Sequence, residues 1–272
     1  MKNILMTSLF ALLMLITSCE ELNQLVRLSD EEIVEGLKEA LHIGVDNSVE
    51  TAAVQDGYLK NEIIKILLPP EVRALQTKIE TGSINLGITS ISYSTILAAY
   101  VAATPEIDAD PFEELYVAMN RGAENAADKA SPIFANALAN MTVTDGLNIL
   151  QGDSTAATAY FNQNTNAALQ AAFQPEVSLA LGDTKANAIY EKTVGFLNYS
   201  YSVAGLTNIK VSDFLKLDDP LPATLDAYAT EKAIDGLFYL VGEEEKKIRK
   251  DPYAWGSQII AKVFGSNEAK GG

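Results

Sequence analysis

Residues 225–250 read LDAYATEKAIDGLFYLVGEEEKKIRK. Leu225, Tyr228, Ala229, Ala233, Leu237, Leu240 and Val241 recur at three- and four-residue intervals, with Ile234 and Phe238 widening the stripe. That is the period of an amphipathic α-helix and not the alternation of a strand. Glu243 with Lys247 and Glu245 with Arg249 stand four apart with the acid first, the orientation that supports a helix. The bases crowd the last turn, where the helix dipole favours positive charge. A long helix starting near Pro222 with a broad apolar stripe needs neighbours to cover it, so the stretch predicts a helical bundle.

The same reading extends outward. Ser29-Asp30-Glu31-Glu32 has the form of a capping box, and Ile33, Leu37, Leu41 and Val45 then recur every four residues. Gly57 and Leu67-Leu68-Pro69-Pro70 punctuate the chain, and Pro70 suits the first turn of a helix over 71–80. Asp110-Pro111 is an N-cap followed by a first-turn proline, opening a helix faced by Phe112, Leu115, Met119, Ala123, Ala126 and Ala130. Its small residues Gly122, Ala123, Ala126 and Ala127 let a neighbouring helix approach closely. Ser131-Pro132 kinks or restarts it. Thr142 to Asp145 is another capping-box start, and Gly152 ends that short helix. In the next one Ala157, Tyr160, Phe161, Ala168, Leu169 and Phe173 face inward until Pro175. Helices over 183–196 and 253–264 complete a set of about seven to nine.

Two stretches break the pattern. Residues 81–105 and 193–209 carry no charge, with Ile84, Leu86 and Ile88, then Ile91, Tyr93 and Thr95, and later Tyr199, Tyr201 and Val203 alternating. They predict short strands, one from residues 82–96 and one from 196–211, paired with each other on an otherwise all-helical fold.

The 272 residues carry 20 Lys plus Arg against 36 Asp plus Glu, a formal charge of −16. Such a surface repels phosphate backbones, which disfavours nucleic acid as a partner. One cysteine excludes a disulfide framework or a cysteine-rich metal site, and one histidine excludes any site needing two imidazoles. No P-loop, no dinucleotide-binding glycine turn and no EF-hand loop occurs. Neither metal nor cofactor is expected.

The N-terminus reads as an address. Ile4 to Ile16, ILMTSLFALLMLI, follows Lys2 and is a signal-peptide h-region, too short to span a bilayer. Ile16-Thr17-Ser18-Cys19 resembles the lipobox of bacterial lipoproteins: small residues fit the peptidase cleft, and the Cys19 thiol takes the acyl-bearing glyceryl group. Several acyl chains anchor a protein stably where one does not. The expected organisation is a lipoprotein signal over 1–18, a tether over 19–28 behind lipidated Cys19, a single helical domain over 29–265 and a polar tail over 266–272. The expected location is the bacterial cell envelope, at the outer membrane.

Several segments resemble, in order, a family of bacterial envelope proteins classed as a domain of unknown function: GLKEAL at 36–41, GVDNSV at 44–49, LLPPEV at 67–72, MNRGAENAADKASPIF at 119–134, MTVTDGLNILQGD at 141–153, AATAYF at 156–161, TEKAIDGLFYLVGEEEKKIRKDP at 230–252 and KVFG at 262–265. The segments at 119–134 and 230–252 are the specific ones. The resemblance implies an all-helical core and an envelope location, and no activity. The chain departs from the family pattern near 82–108 and 197–220, where it is longer.

The polar residues within these segments form the candidate site: Asn120, Arg121 and Glu124; Glu231, Lys232 and Asp235; Glu245 and Arg249. They read either as ion pairs fixing helix register or as a charged pocket between helices for an anionic or zwitterionic small molecule. Tyr93, Tyr100, Phe196, Tyr199 and Tyr201 form a second candidate, an aromatic patch that is either core or a docking surface. His42 lacks the partners of a catalytic triad and reads as a surface histidine. Glu243 to Glu245 fall on different helix faces and read as a solvated, salt-bridged surface. The leading expectation is a non-enzymatic binding or assembly module that holds an envelope protein or ligand near the membrane. The alternatives are a carboxylate-dependent hydrolase of envelope glycan or peptide, and a carrier of a small anionic ligand at the Arg121 and Lys232 regions.

Overall fold

The structure is a computed structural model that describes residues 28–85, 88, 90–102, 110–197, 200–203, 207–210, 220–266 and 269. The signal over 1–18, Cys19 with most of its tether, and most of the tail after 266 lie outside the described residues. Among the described residues ten α-helices carry the fold: α1 (Asp30–Ala53), α2 (Pro70–Thr81), α3 (Tyr93–Ala102), α4 (Pro111–Ala127), α5 (Ala130–Asn140), α6 (Val143–Gln151), α7 (Ala156–Gly182), α8 (Lys185–Leu197), α9 (Asp226–Lys250) and α10 (Gln258–Phe264). A 3₁₀ turn, Pro252–Trp255, joins the last two. No described helix is long and apolar enough to cross a membrane.

The caps fall where the residues put them. Ser29 Oγ accepts from the Glu32 N–H while Glu32 returns a bond to the Ser29 N–H. Thr142 and Asp145 do the same at α6, and Asp110 accepts from the Phe112 N–H ahead of Pro111. Each satisfies N–H groups that the first turn leaves without partners.

At the centre, α7 packs along α4 on one side and α9 on another, and α1 packs on α9. The partners run antiparallel. Glu114 meets Ala186 just beyond α7, and Gly122 meets Val177 within it. Ser178 meets Asp226 at one end of the α7–α9 pair, and Ala157 meets Glu245 at the other. A Cβ at Gly122 would lie 2.8 Å from the Val177 Cα, so the small face of α4 is what admits α7. Phe134 sits edge-on to Phe161 at 5.0 Å and to Phe238 at 6.0 Å, tying α5, α7 and α9 together. The buried apolar residues join in one core.

Three expectations are corrected. The uncharged stretches do not pair with each other among the described residues. Each folds on itself as a hairpin: β1 (Ser83–Asn85) with β2 (Ser90–Ser92), and β3 (Ser200–Val203) with β4 (Thr207–Lys210), both antiparallel. A local turn closes more cheaply than a pairing across a hundred residues. Strand alternation also stops at Ser92, and Tyr93 begins α3. The Ser92 Oγ accepts from the Thr95 N–H, an N-cap bond that switches the chain from strand to helix. Finally, α7 does not stop at Pro175 but runs through it to Gly182. Phe173, Val177 and Leu181 continue one buried stripe, and their burial outweighs the hydrogen bond that the proline removes. Ahead of Pro175 the stripe is completed by Thr165, while Ala168 faces solvent.

Candidate functional site

The eight candidate polar residues fall in three places. The first is a clamp on the loop that follows α1. This loop, residues 54–69, turns at Asp56, whose left-handed φ of 70° is tolerated better by aspartate than by most side chains. Arg121 donates from Nη2 to Asp56 at 2.7 Å and from Nη1 to Glu124. Glu124, buried, accepts the backbone N–H groups of Tyr58 and Leu59 at 3.2 and 3.1 Å. One turn earlier, buried Asn120 donates to the Ile66 carbonyl at 2.9 Å and accepts the Ile66 N–H at 2.8 Å. Tyr58, fully buried, donates its hydroxyl to the Ala233 carbonyl at 2.6 Å. A Cβ at Gly236 would lie 2.9 Å from the Tyr58 ring, so α9 admits the ring only there. Bonds to Glu124 and then Asp56 strengthen the hold of Arg121 on its proton. Bonds from Lys60 and Arg121 hold Asp56 below its ordinary value. Burial, helped by Glu124, pushes the Tyr58 phenol well above its own.

The second place is a latch between helix ends. Glu245, 2% exposed, accepts the Ala157 N–H at 2.9 Å and the Thr158 N–H at 2.8 Å, two donors that the first turn of α7 leaves open. Arg249 donates to Glu245 at 2.8 Å and to the carbonyls of Ile149 and Leu150 at the end of α6. Its guanidinium also lies 5.7 Å from the centre of the Phe264 ring. The expected solvated acidic surface is thus corrected at Glu245, which is interior. The expected Glu243–Lys247 pair is replaced by Glu243–Lys246 and Glu244–Lys247 at three-residue spacing.

The third group is exposed. Lys232 bridges to Asp235 at 2.7 Å and lies 3.6 Å from Glu231. The Asp235 carboxylate raises the Lys232 ammonium above its ordinary value. Among the described residues no cluster of His, Cys, Asp and Glu suits a metal ion. His42 makes a surface pair with Asp46 at 3.1 Å.

Of the aromatic candidates, Tyr93 has a described side chain. Tyr93 is half-buried, its ring over Gly82. The side chains of Tyr100, Phe196 and Tyr201, and Tyr199 as a whole, lie outside the described residues.

A feature that the sequence reading passed over lies beside the clamped loop. Residues 63–67 form one wall of a cleft of about 290 Å³, faced by Tyr228, Lys232, Asp235 and Tyr239 of α9 and by Arg73 of α2. A second cleft of about 230 Å³ shares Leu67 and Arg73 and continues to Phe112 and Tyr116. Ile63, Leu67 and Tyr239 are 67%, 45% and 40% exposed, a concentration of apolar surface unusual for side chains of this size. Ile64, Ile66 and Leu68 point inward between them. This period-two alternation was the available signal, hidden inside an apolar run ending in Pro69-Pro70.

The family model that matches covers residues 27–109 and 108–265, nearly all of the described chain. The chain belongs to the family of proteins of unknown function, DUF4197. No curated protein and no solved structure matches it. Every quoted segment from GLKEAL to KVFG lies within the DUF4197 match. The two matched pieces meet at 108–109, just beyond the uncharged stretch 81–105.

Proposed function

We propose that this DUF4197 chain is a lipid-anchored protein of the bacterial envelope whose helical part is a non-enzymatic binding module, with the 63–67 cleft as its working surface. The supporting observation is the cleft itself. A chain of net charge −16 gathers Lys65, Arg73 and Lys232 around exposed Ile63, Leu67 and Tyr239. Of the polar residues in the family segments, Lys232 and Asp235 line this surface. Asn120, Arg121 and Glu124 hold the cleft wall from behind, and Glu245 with Arg249 join helix ends.

The same geometry weighs on the alternatives. A hydrolase working with two carboxylates needs both aimed at one substrate bond. The 290 Å³ cleft is lined by one acid, Asp235, which is bonded to Lys232; the second cleft is lined by two, Asp110 and Glu113, of which Asp110 accepts the Phe112 N–H as a helix cap. A carrier of a small anion through Arg121 meets a guanidinium already facing Asp56 and Glu124.

Anchoring is tested by feeding cells an alkyne-tagged fatty acid. The label is expected on the wild-type chain and absent from Cys19→Ser. Binding is tested by placing a photocrosslinking residue at Ile63 in living cells, with Val143 and Leu179, exposed elsewhere, as controls. A discrete adduct through position 63 alone is expected. Equal labelling from all three positions counts against the cleft as the working surface.

A further inference from the structure

The wall of the cleft has the geometry of half a β-sheet edge. Residues 65–69 belong to no helix, turn or strand, and after the turn at 62–64 buried Ile66 and Leu68 alternate with exposed Leu67. In an extended chain the N–H and C=O of one residue point to one side, and those of the next to the other. The Ile66 pair is fully engaged by Asn120, which imitates a neighbouring strand with one acceptor and one donor. The opposite side carries the Lys65 carbonyl and both backbone groups of Leu67, which have no partner among the described residues. The Lys65 N–H is held by the Asn61 carbonyl, so the segment is pinned at that end as well.

Its rim carries three cations, Lys65, Arg73 and Lys232, beside one acid, Asp235. Arg73 is exposed, forms no ion pair among the described residues and lies within electrostatic reach of the Tyr228 hydroxyl. Lys65 and Lys232 stand nearby, Lys65 linked to Glu62 and Lys232 to both Asp235 and Glu231. Exposed edges of this kind are ordinarily blunted or covered, because they template pairing with another chain. Here the edge is held rigid from behind by a buried amide and left open in front.

We propose that the Lys65–Leu67 edge takes an extended, acidic segment of a partner protein by strand addition, with its acids on Arg73 and Lys232 and its apolar side chains against Ile63, Leu67 and Tyr239. The unpaired backbone groups favour a peptide over a lipid or glycan, because a peptide supplies donors and acceptors at the strand spacing. This inference rests on the binding-module reading and names its ligand class.

The test uses the full-length chain and a fluorescein-labelled octapeptide alternating valine with glutamate, followed by fluorescence anisotropy. Two further peptides carry N-methyl groups on all valines or on all glutamates. Methylation of alternate residues blocks only one edge of a strand, so one methylated peptide is expected to bind like the parent and the other to lose binding. Arg73→Ala, at an exposed position without an ion pair, is expected to weaken the parent about tenfold. If both methylated peptides bind like the parent, strand addition is wrong and only charge and apolar contact remain. If the peptide fails to bind while phosphatidylglycerol vesicles bind in an Arg73-dependent way, the surface is a lipid site and the proposal falls. If neither binds but Ile63 still gives its discrete crosslink, strand addition falls while the binding module stands.

Discussion

At the scale of single residues, two buried glutamates hold distant pieces of backbone. Glu124→Ala leaves two N–H groups without an acceptor and Arg121 with Asp56 alone, and is expected to cost about 3 kcal/mol in urea unfolding. Glu245→Ala is expected to cost a similar amount, about 3 kcal/mol, for the same reason. Losses under 1 kcal/mol in both would mean that these carboxylates are not structural and would reopen the reading of a charged pocket. The local half of each cluster was legible: Arg121 with Glu124 and Glu245 with Arg249 stand at helical spacing. The distant half was not, because the partners are backbone groups of Tyr58, Leu59, Ala157 and Ile149, and a backbone N–H has no signature in sequence.

At the scale of elements, close approach outweighs propensity. Gly122→Ala improves the intrinsic helix tendency of α4 by about 1 kcal/mol. It also places a methyl group 2.8 Å from the Val177 Cα, which α7 cannot yield without moving. A net loss of about 1–2 kcal/mol is expected, and thermal unfolding that moved upward instead would show that α4 and α7 have room to separate. The reverse holds at Pro175, where the Ala171 carbonyl lacks its intrahelical donor. Pro175→Ala is expected to stabilise by about 1 kcal/mol, visible as a higher melting temperature. Helix starts were legible because caps are local chemistry, as at Ser29, Asp110 and Thr142. The end of α7 was not, because burial of Val177 and Leu181 is set by α4 and α9 rather than by neighbours in the chain. The same holds for α3, where one serine side chain decides between strand and helix.

At the scale of the whole molecule, acid acts through a few carboxylates. Bonds to Thr224 and Ser178 hold Asp226 below its ordinary value of 3.8, and Asp145 and Asp153 are lowered by bonds from Thr142 and Thr155. A lowered carboxylate contributes stability that is complete above the ordinary value and is lost as pH falls through the lowered one. Stability is therefore expected to drop below about pH 3.8, and Asp226→Asn to remove part of that slope while leaving the chain less stable at neutral pH. The single tryptophan, Trp255, packs against the core and reports the transition by its fluorescence. An unchanged slope in Asp226→Asn would put the acid sensitivity elsewhere. The bundle and most of its inward faces were readable from periodicity, whereas the cleft arises only when loop, α2 and α9 meet. The Glu245–Arg249 latch adds a consequence for motion. It ties the last turn of α6 to the first turn of α7 through a side-chain pair on α9, so the 152–155 turn has no hinge of its own. Its neighbouring amides, such as those of Ala157 and Thr158, then exchange with heavy water only when α9 lets go, and the three helices open as one unit.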